Sequence, residues 1–266
     1  MSCEQCCDFA AEYACSALPA IKALERDVLG SDYGGTSWTT RQQVDSVFSH
    51  LELKSDSRLL EVGSGSGWPA LLLSQQSGCR ATLLDMPLIA LEHASRRATD
   101  DGIDGRATFV NASGTALPFA DGTFDRLSQS DVLCCLPEKL EMLRECRRVA
   151  SAGARFCFTV IEPAEGLADS DFLAALAAGP PFTEVPGGYP SLLEKSGWTL
   201  LDRIDITAEY GDTIEKLVAG LKTNTTELQE AYGADELRDS WQLNEEQLQL
   251  VRDYTLLRFA YVAIPA

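Results

Sequence analysis

The stretch Arg58-Leu-Leu-Glu-Val-Gly-Ser-Gly-Ser-Gly-Trp-Pro69 sets three glycines at alternate positions behind an apolar run. Leu59, Leu60 and Val62 read as a buried strand. Gly63, Gly65 and Gly67 read as a turn that bends sharply and lets a ligand come close to the backbone. Pro69 suits the first turn of a following helix. Turn and helix N-terminus together would offer N–H donors to a polar or anionic group. Arg80-Ala-Thr-Leu-Leu-Asp85 reads as a second strand ending in a carboxylate, 18 residues past Gly67. In nucleotide-binding α/β folds a second-strand acid at about that distance meets a ribose. A carboxylate suits the task because it accepts from both ribose hydroxyls.

The dinucleotide fingerprint would place its third glycine at position 68, where this chain has Trp68. Glu61, just ahead of the turn, is awkward beside a pyrophosphate and useful beside a cation. Both residues argue against a nicotinamide oxidoreductase. The series Glu61-x-Gly63-x-Gly65-x-Gly67 followed by Asp85 instead resembles class I S-adenosylmethionine-dependent methyltransferases. Further segments resemble the same family in the same order. Asn111 to Asp125 holds Leu117-Pro-Phe119 and Asp121-Gly-x-Phe-Asp125 ahead of a fourth strand. Ser128 to Pro137 follows that strand, and Ala152 to Pro163 forms the turn and fifth strand. The resemblance covers residues 57 to 163.

The resemblance implies an α/β, Rossmann-like fold with a mixed seven-stranded sheet. It implies S-adenosyl-L-methionine as cofactor and direct in-line transfer of its methyl group to a small-molecule acceptor. The flavour is similar to quinone-biosynthesis enzymes and to glycine or sarcosine N-methyltransferases. It assigns Gly63, Ser64, Gly65 and Gly67 to the methionine part, with Glu61 near its ammonium. Asp85 goes to the ribose, Met86 flanks the adenine, Ser113 and Gly114 contact its edge, and Ser128 joins the cofactor set. Two departures stand out. The family usually has an acid at position 113, where this chain has Ser113. Members often show histidine near 134 and 135, where this chain has Cys134 and Cys135, so a neutral-pH base is not obvious. A non-catalytic binder of S-adenosylmethionine or its demethylated product, and a thiol or metalloid methyltransferase, are the alternatives.

The remaining elements must position these residues. Cys7 to Leu18 and Pro19 to Leu29 have helical spacing, and a Gly- and aromatic-rich loop over 30–40 precedes a helix from Arg41 to Leu51. Residues 1–52 are read as a helical lid and 53–163 as the cofactor-binding core. Residues 164–266 complete the core and carry an acidic helical cap over 209–253, inserted before the last strand. Tyr33 and Trp38 serve either as lid residues or as packing for the extension. Acceptor-pocket candidates are Tyr33, Trp38, Cys134, Tyr189 and Tyr210, with Trp198, Tyr232 and Trp241 as further aromatics. No catalytic residue is singled out.

Nine cysteines suggest thiols in a cytoplasmic chain. Cys3, Cys6 and Cys7 lack a second ligand pair, and His50 and His93 are isolated, so no metal is expected. A net charge of −18 argues against a nucleic-acid partner. It serves solubility and also suits attraction of a cationic small substrate. No stretch reads as a membrane span. A monomer or homodimer fits equally.

Overall fold

Helices α1 (Phe9–Ser16) and α2 (Pro19–Leu29) open the part of the chain that the computed structural model describes, residues 9–34, 36–223 and 225–266. Cys3, Cys6 and Cys7 lie outside it. Pro19 starts α2, and Gly30 ends it at φ 73°, with its N–H bonded to the Arg26 carbonyl. Glu25, buried on α2, fixes the next turn by accepting from the Ser31 hydroxyl and the backbone N–H groups of Tyr33 and Gly34, at 3.0, 3.2 and 2.6 Å. Helix α3 (Arg41–Val47) begins with a capping box between Thr40 and Gln43. The helix expected to run to Leu51 tightens to a 3-10 turn from Phe48.

The core then alternates strand and helix: β1 (Arg58–Val62), α4 (Ala70–Ser77), β2 (Arg80–Asp85), α5 (Leu88–Asp100), β3 (Ala107–Asn111), β4 (Phe124–Ser130), α6 (Lys139–Val149) and β5 (Ala150–Pro163). After β5 come α7 (Asp169–Ala178), which the sequence reading did not foresee, and α8 (Gly188–Lys195). Then follow β6 (Trp198–Asp205), α9 (Thr207–Thr223), α10 (Thr225–Tyr232), α11 (Ala234–Arg252) and β7 (Leu256–Pro265). Strand β6 stops at Asp205 because its carboxylate accepts the Thr207 N–H at 2.9 Å and starts α9.

The seven strands form one sheet in the order β3-β2-β1-β4-β5-β7-β6. The pairs from β3 to β5 are parallel, and β7 lies antiparallel between β5 and β6. Both faces are covered, so the inner strands are apolar on alternate sides. Leu60, Val62, Leu127, Phe156 and Phe158 pack on one face against α6 and α8. Leu59, Leu83, Cys157 and Val262 pack on the other, against α3, α4 and the 3-10 turn. Helices α9 and α11 pack Tyr210, Ile214, Leu248 and Val251 on Ile161 of β5, Leu256 of β7 and Cys134. Leu221, Leu228 and Leu237 also pack on Leu24 and Val28 of α2, joining the late helices to the N-terminal extension.

A fully buried arginine stands in the sheet. Arg258 on β7 has 0% exposure, and its partner Asp131 has 9%. The guanidinium donates to both Asp131 oxygens at 3.0 and 2.7 Å. It also donates to the Trp38 carbonyl, the Gln43 side-chain oxygen and the Thr39 hydroxyl, at 3.1, 3.2 and 3.0 Å. A buried guanidinium satisfied on every side is a fixed joint. Here it ties residues 38–43 to the end of β4. We expect Arg258→Met to lower stability by about 3–5 kcal/mol, the usual consequence of stranding one member of a buried pair. Urea unfolding measures this, and removing both charges in Arg258→Met/Asp131→Leu should restore part of the loss. A single-variant loss below about 1 kcal/mol, the level of an exposed pair, would contradict the assignment.

Candidate active site

At the carboxyl ends of β1, β2, β4 and β5 lies a cavity of about 690 Å³, where open α/β sheets bind ligands. Its floor is the turn after β1. Gly63 and Ser64 donate their N–H groups to the Leu84 carbonyl at 2.8 and 3.1 Å, so the turn is held against β2. Gly63 and Gly65 have φ of 73° and 52°. A side chain on Gly63 would collide with Val132, and one on Gly65 with the Tyr13 hydroxyl. The backbone can therefore pass close beneath the cavity only as glycine.

Asp85 closes the next side. Its carboxylate accepts the Gly65 N–H at 2.6 Å and the Met86 N–H at 2.7 Å. Burial pushes its pKa up, and the two backbone donors pull it part of the way back. Asn111 steadies the same turn by donating to the carbonyls of Asp85 and Met86, at 3.2 and 2.6 Å. Met86 itself is 67% exposed, a large apolar side chain at the cavity rim. Beyond β3, the Ser113 and Thr115 hydroxyls share a 2.8 Å bond. Gly114 has no room for a side chain between Met142 and Val62.

The opposite wall is the segment after β4: Ser130, Asp131, Val132, Cys135, Leu136 and Glu138. Asp131 sits at φ 57°, a conformation few non-glycine residues adopt, held by the Arg258 joint. The thiols of Cys134 and Cys135 both donate to its carbonyl, at 3.2 and 3.3 Å. The roof comes from Phe9 and Tyr13 on α1, from Trp38, and from Pro180, Pro181 and Phe182. The Phe182 N–H donates to the Cys134 carbonyl at 3.0 Å. The Lys139 ammonium donates to the carbonyls of Leu136, at 2.8 Å, and of Phe182. Roof and wall are thus joined by main-chain bonds. Among the described residues the lining includes the carboxylates of Asp85, Asp131 and Glu138 and no Lys, Arg or His. Among them, too, no three of His, Cys, Asp and Glu gather in a way that could hold a metal ion.

The cavity brings together Gly63, Ser64, Gly65, Asp85, Met86, Ser113 and Gly114 of the sequence-derived cofactor set, and Trp38 of the acceptor set. The others lie elsewhere. Glu61 and Ser128 face each other across the β1–β4 register, on the side of the sheet opposite Leu60 and Val62. The Ser128 hydroxyl donates to the Glu61 carboxylate, beneath the floor. Gly67 is packed on Leu71 and Ala94. Tyr33 is a packing residue: its ring lies 5.1 Å from Trp68 and 4.1 Å from the Arg97 guanidinium, and its hydroxyl donates to Asp101 at 3.1 Å. Cys134 points away into the core, and its neighbour Cys135 takes the lining position. Tyr189 is buried with Phe158 and Tyr261. Tyr210 reaches the site only as a support, edge-on to Trp38 at 5.2 Å. Trp198 packs on Phe156, and Tyr232 and Trp241 join the α2 cluster. No residue after Phe182 lines the cavity among the described residues, so 209–253 covers the strand ends from behind the lining, with Tyr210, Ile214, Leu248 and Val251 packed on Ile161, Cys134 and Trp38. Phe9, Tyr13, Asp131, Glu138 and Pro180 to Phe182 were missed. The helical pattern of α1 and the Pro-rich loop were legible; their meeting over the glycine turn was not.

Comparison with known proteins gives a consistent result. Residues 60–158 match a methyltransferase domain family. Methyltransferase GfsG of Streptomyces halstedii is 28% identical over 178 residues, covering 65% of this chain and 63% of that protein. A sarcosine/dimethylglycine N-methyltransferase of Halorhodospira halochloris is 31% identical over 121 residues, covering 45% of this chain and 43% of its own. The matched stretch is thus under two thirds of either relative's length. The structure of a geranyl diphosphate methyltransferase in complex with S-adenosylmethionine superposes with a TM-score of 0.72 at 16% identity, over 96% of this chain and 95% of that one. The likeness to that structure is one of fold.

Glu61 gives a pH test of the buried floor. Burial pushes its carboxyl up from an ordinary 4.5 to about 8, against the single pull of Ser128. Between those two values the folded chain keeps a proton that the unfolded chain releases, so stability falls as pH rises through that window and levels off above it. We expect Glu61→Gln to lack this fall. Unfolding of the two proteins compared from pH 5 to 8 should show their difference widening with pH in favour of the Gln variant. A constant difference would mean that Glu61 is charged in the folded state.

Proposed function

We propose that this chain, whose residues 60–158 match a methyltransferase domain family and whose seven strands form one mixed sheet, transfers a methyl group from S-adenosyl-L-methionine to a small-molecule acceptor. The single observation that carries the reading is Asp85. A desolvated carboxylate at the end of β2 is aimed by the N–H groups of Gly65 and Met86 into a cavity bordered by a glycine turn. That donor set suits an adenosyl compound without phosphate. The turn leaves room for close approach, the Ser64 hydroxyl is buried at the wall with no protein partner, and no basic side chain lines the cavity among the described residues to meet a pyrophosphate.

In this reading Gly63, Ser64 and Gly65 hold the methionine part, Asp85 the ribose, Met86 one face of the adenine, and Ser113 with Gly114 its edge. Glu61, Ser128 and Gly67 shape the turn from below. S-adenosylmethionine supplies an activated methyl group on a sulfonium. The chain's own contribution is alignment and exclusion of water. Trp38 and Phe182 cover the cavity, and the Arg258 joint and the Lys139 bonds fix the distance between roof and wall. Orientation of this kind can supply roughly 7–11 kcal/mol of a barrier without a covalent intermediate. Residues 1–52 act as the lid, residues 53–163 as the cofactor core, and 209–253 as the buttress behind the lid. A cytoplasmic location belongs to the same reading, supported by free thiols at all six described cysteines. So does an acceptor without negative charge, acting on a monomer or homodimer. No described helix is long and apolar enough to cross a membrane.

Asp85→Ala should weaken binding of S-adenosylmethionine by about 10- to 100-fold, as expected for loss of hydrogen bonds to a charged group. Calorimetry reads this directly, and unchanged affinity removes Asp85 from the site.

A further inference from the structure

We propose that the chain has a second ligand site, for a small organic monocarboxylate, in a cavity over the first turn of α6. This cavity holds about 380 Å³, and Pro181 and Phe182 line both it and the strand-end cavity. The proposal goes beyond the methyl-transfer reading and does not depend on it.

Lys139 lines this cavity and not the other, and it is 6% exposed. Its ammonium carries three N–H donors. Two are taken by the carbonyls of Leu136, at 2.8 Å, and of Phe182. Carbonyls satisfy donors but bring no negative charge, and no carboxylate is ion-paired with Lys139 among the described residues. A buried ammonium in that condition is costly. Burial accordingly pulls its pKa down. One donor and the positive charge remain for a ligand.

Other donors belong to the same lining. Thr183 is 1% exposed, and its hydroxyl has no partner among the described residues. Leu140 and Glu141 stand in the opening turn of α6. The Lys139 N–H donates to the Pro137 carbonyl at 3.0 Å, and the Met142 N–H to that of Glu138 at 3.1 Å. No described group accepts from the N–H groups of Leu140 and Glu141 between them, and Glu138 makes no side-chain capping bond. A helix start left open in this way favours an anion.

The rest of the lining selects the body and limits the charge. Pro137, Leu176, Val185, Pro186 and Leu192 suit a hydrocarbon body. Glu141 and Glu184 also line the cavity, with exposed side chains that water screens. One ammonium balances one negative charge. A phosphate dianion would exceed that and be repelled by the two glutamates, whereas a carboxylate matches it.

The test uses the full chain without added cofactor. Calorimetric titration with 3-phenylpropionate, 3-phenylpropan-1-ol and 3-phenylpropylamine compares one body with three head groups. The carboxylate should bind at least about tenfold more tightly than the other two, the range of hydrogen bonds to a charged group. Its binding should shift the backbone amide NMR signals of Leu140, Glu141 and Thr183. Thr183→Val removes only a buried hydroxyl without a partner, so the fold should tolerate it, and carboxylate affinity should fall about tenfold. Leu176→Trp should fill the cavity and abolish binding. Equal or tighter binding of the alcohol or amine overturns the inference. So does no binding of the carboxylate, full affinity in either variant, or amide shifts confined to Gly65 and Met86, which would put the ligand in the strand-end cavity.

Discussion

A guanidinium buried between the last strand and the end of the fourth sets the geometry of the whole ligand cavity. At Arg258 the N-terminal segment, the end of β4, β5 and β7 meet through polar bonds, since Thr159 on β5 also faces it at 3.4 Å. The carboxylate it grips belongs to a residue in left-handed conformation. That conformation turns the chain after β4 back along the cavity wall and aims the Asp131 carbonyl at two thiols. Apolar packing could bring these segments together, but it is not directional. The bidentate pair fixes both distance and angle. Trp38 and the wall opposite it are therefore parts of one rigid frame.

The floor has its own frame, independent of Arg258. Asp85, Gly65 and Met86 form a closed set of short bonds, and Asn111 braces it from β3. The carboxylate is oriented before any ligand arrives, which lowers the ordering cost of binding. The ionisable carboxylates of the lining are Asp85, Asp131 and Glu138, with no basic side chain among the described lining residues, and Asp131 is matched by Arg258 behind the wall.

Much of this architecture was legible in the residues. The β1 turn, the Asp85 strand end, the Leu117-Pro-Phe119 segment and the fifth strand lie where local pattern places them, because strand periodicity and glycine turns are local properties. Their seven-stranded arrangement followed from resemblance. Glu61 shows where a motif misleads. Its position in the series is right, yet strand alternation sends its side chain to the other face, to Ser128. The adjacent cysteines show a one-residue error of the same kind. Tyr33 and Tyr210 were reasonable aromatic candidates, but each is fixed by long-range partners, Trp68 and Trp38, that no window of sequence connects. Helices α9 to α11 were expected over the strand ends, and α9 and α11 do pack on Ile161 and Cys134 there, behind the cavity lining. A second apolar face, with Leu221, Leu228 and Leu237, meets Leu24 and Val28 of α2, a contact between distant segments that no local pattern announces. The Arg258 joint was invisible for the same reason: its partners stand 127 and 219 positions away.

The placement of β7 has a consequence for biosynthesis. Of the elements described, β7 is last in chain order, yet it occupies an interior slot between β5 and β6. During vectorial synthesis the five parallel strands can assemble while β6 has no neighbour to join. Only when β7 emerges does the sheet zip shut, and only then does the entrance segment made at the outset acquire its anchor. Such distant closure is slow compared with local helix and turn formation. A nascent chain stalled before residue 258 would hold an almost complete ligand floor beneath an unfastened roof. Enclosure of the cavity thus depends on a strand that stands far along the chain from the turn that forms the floor.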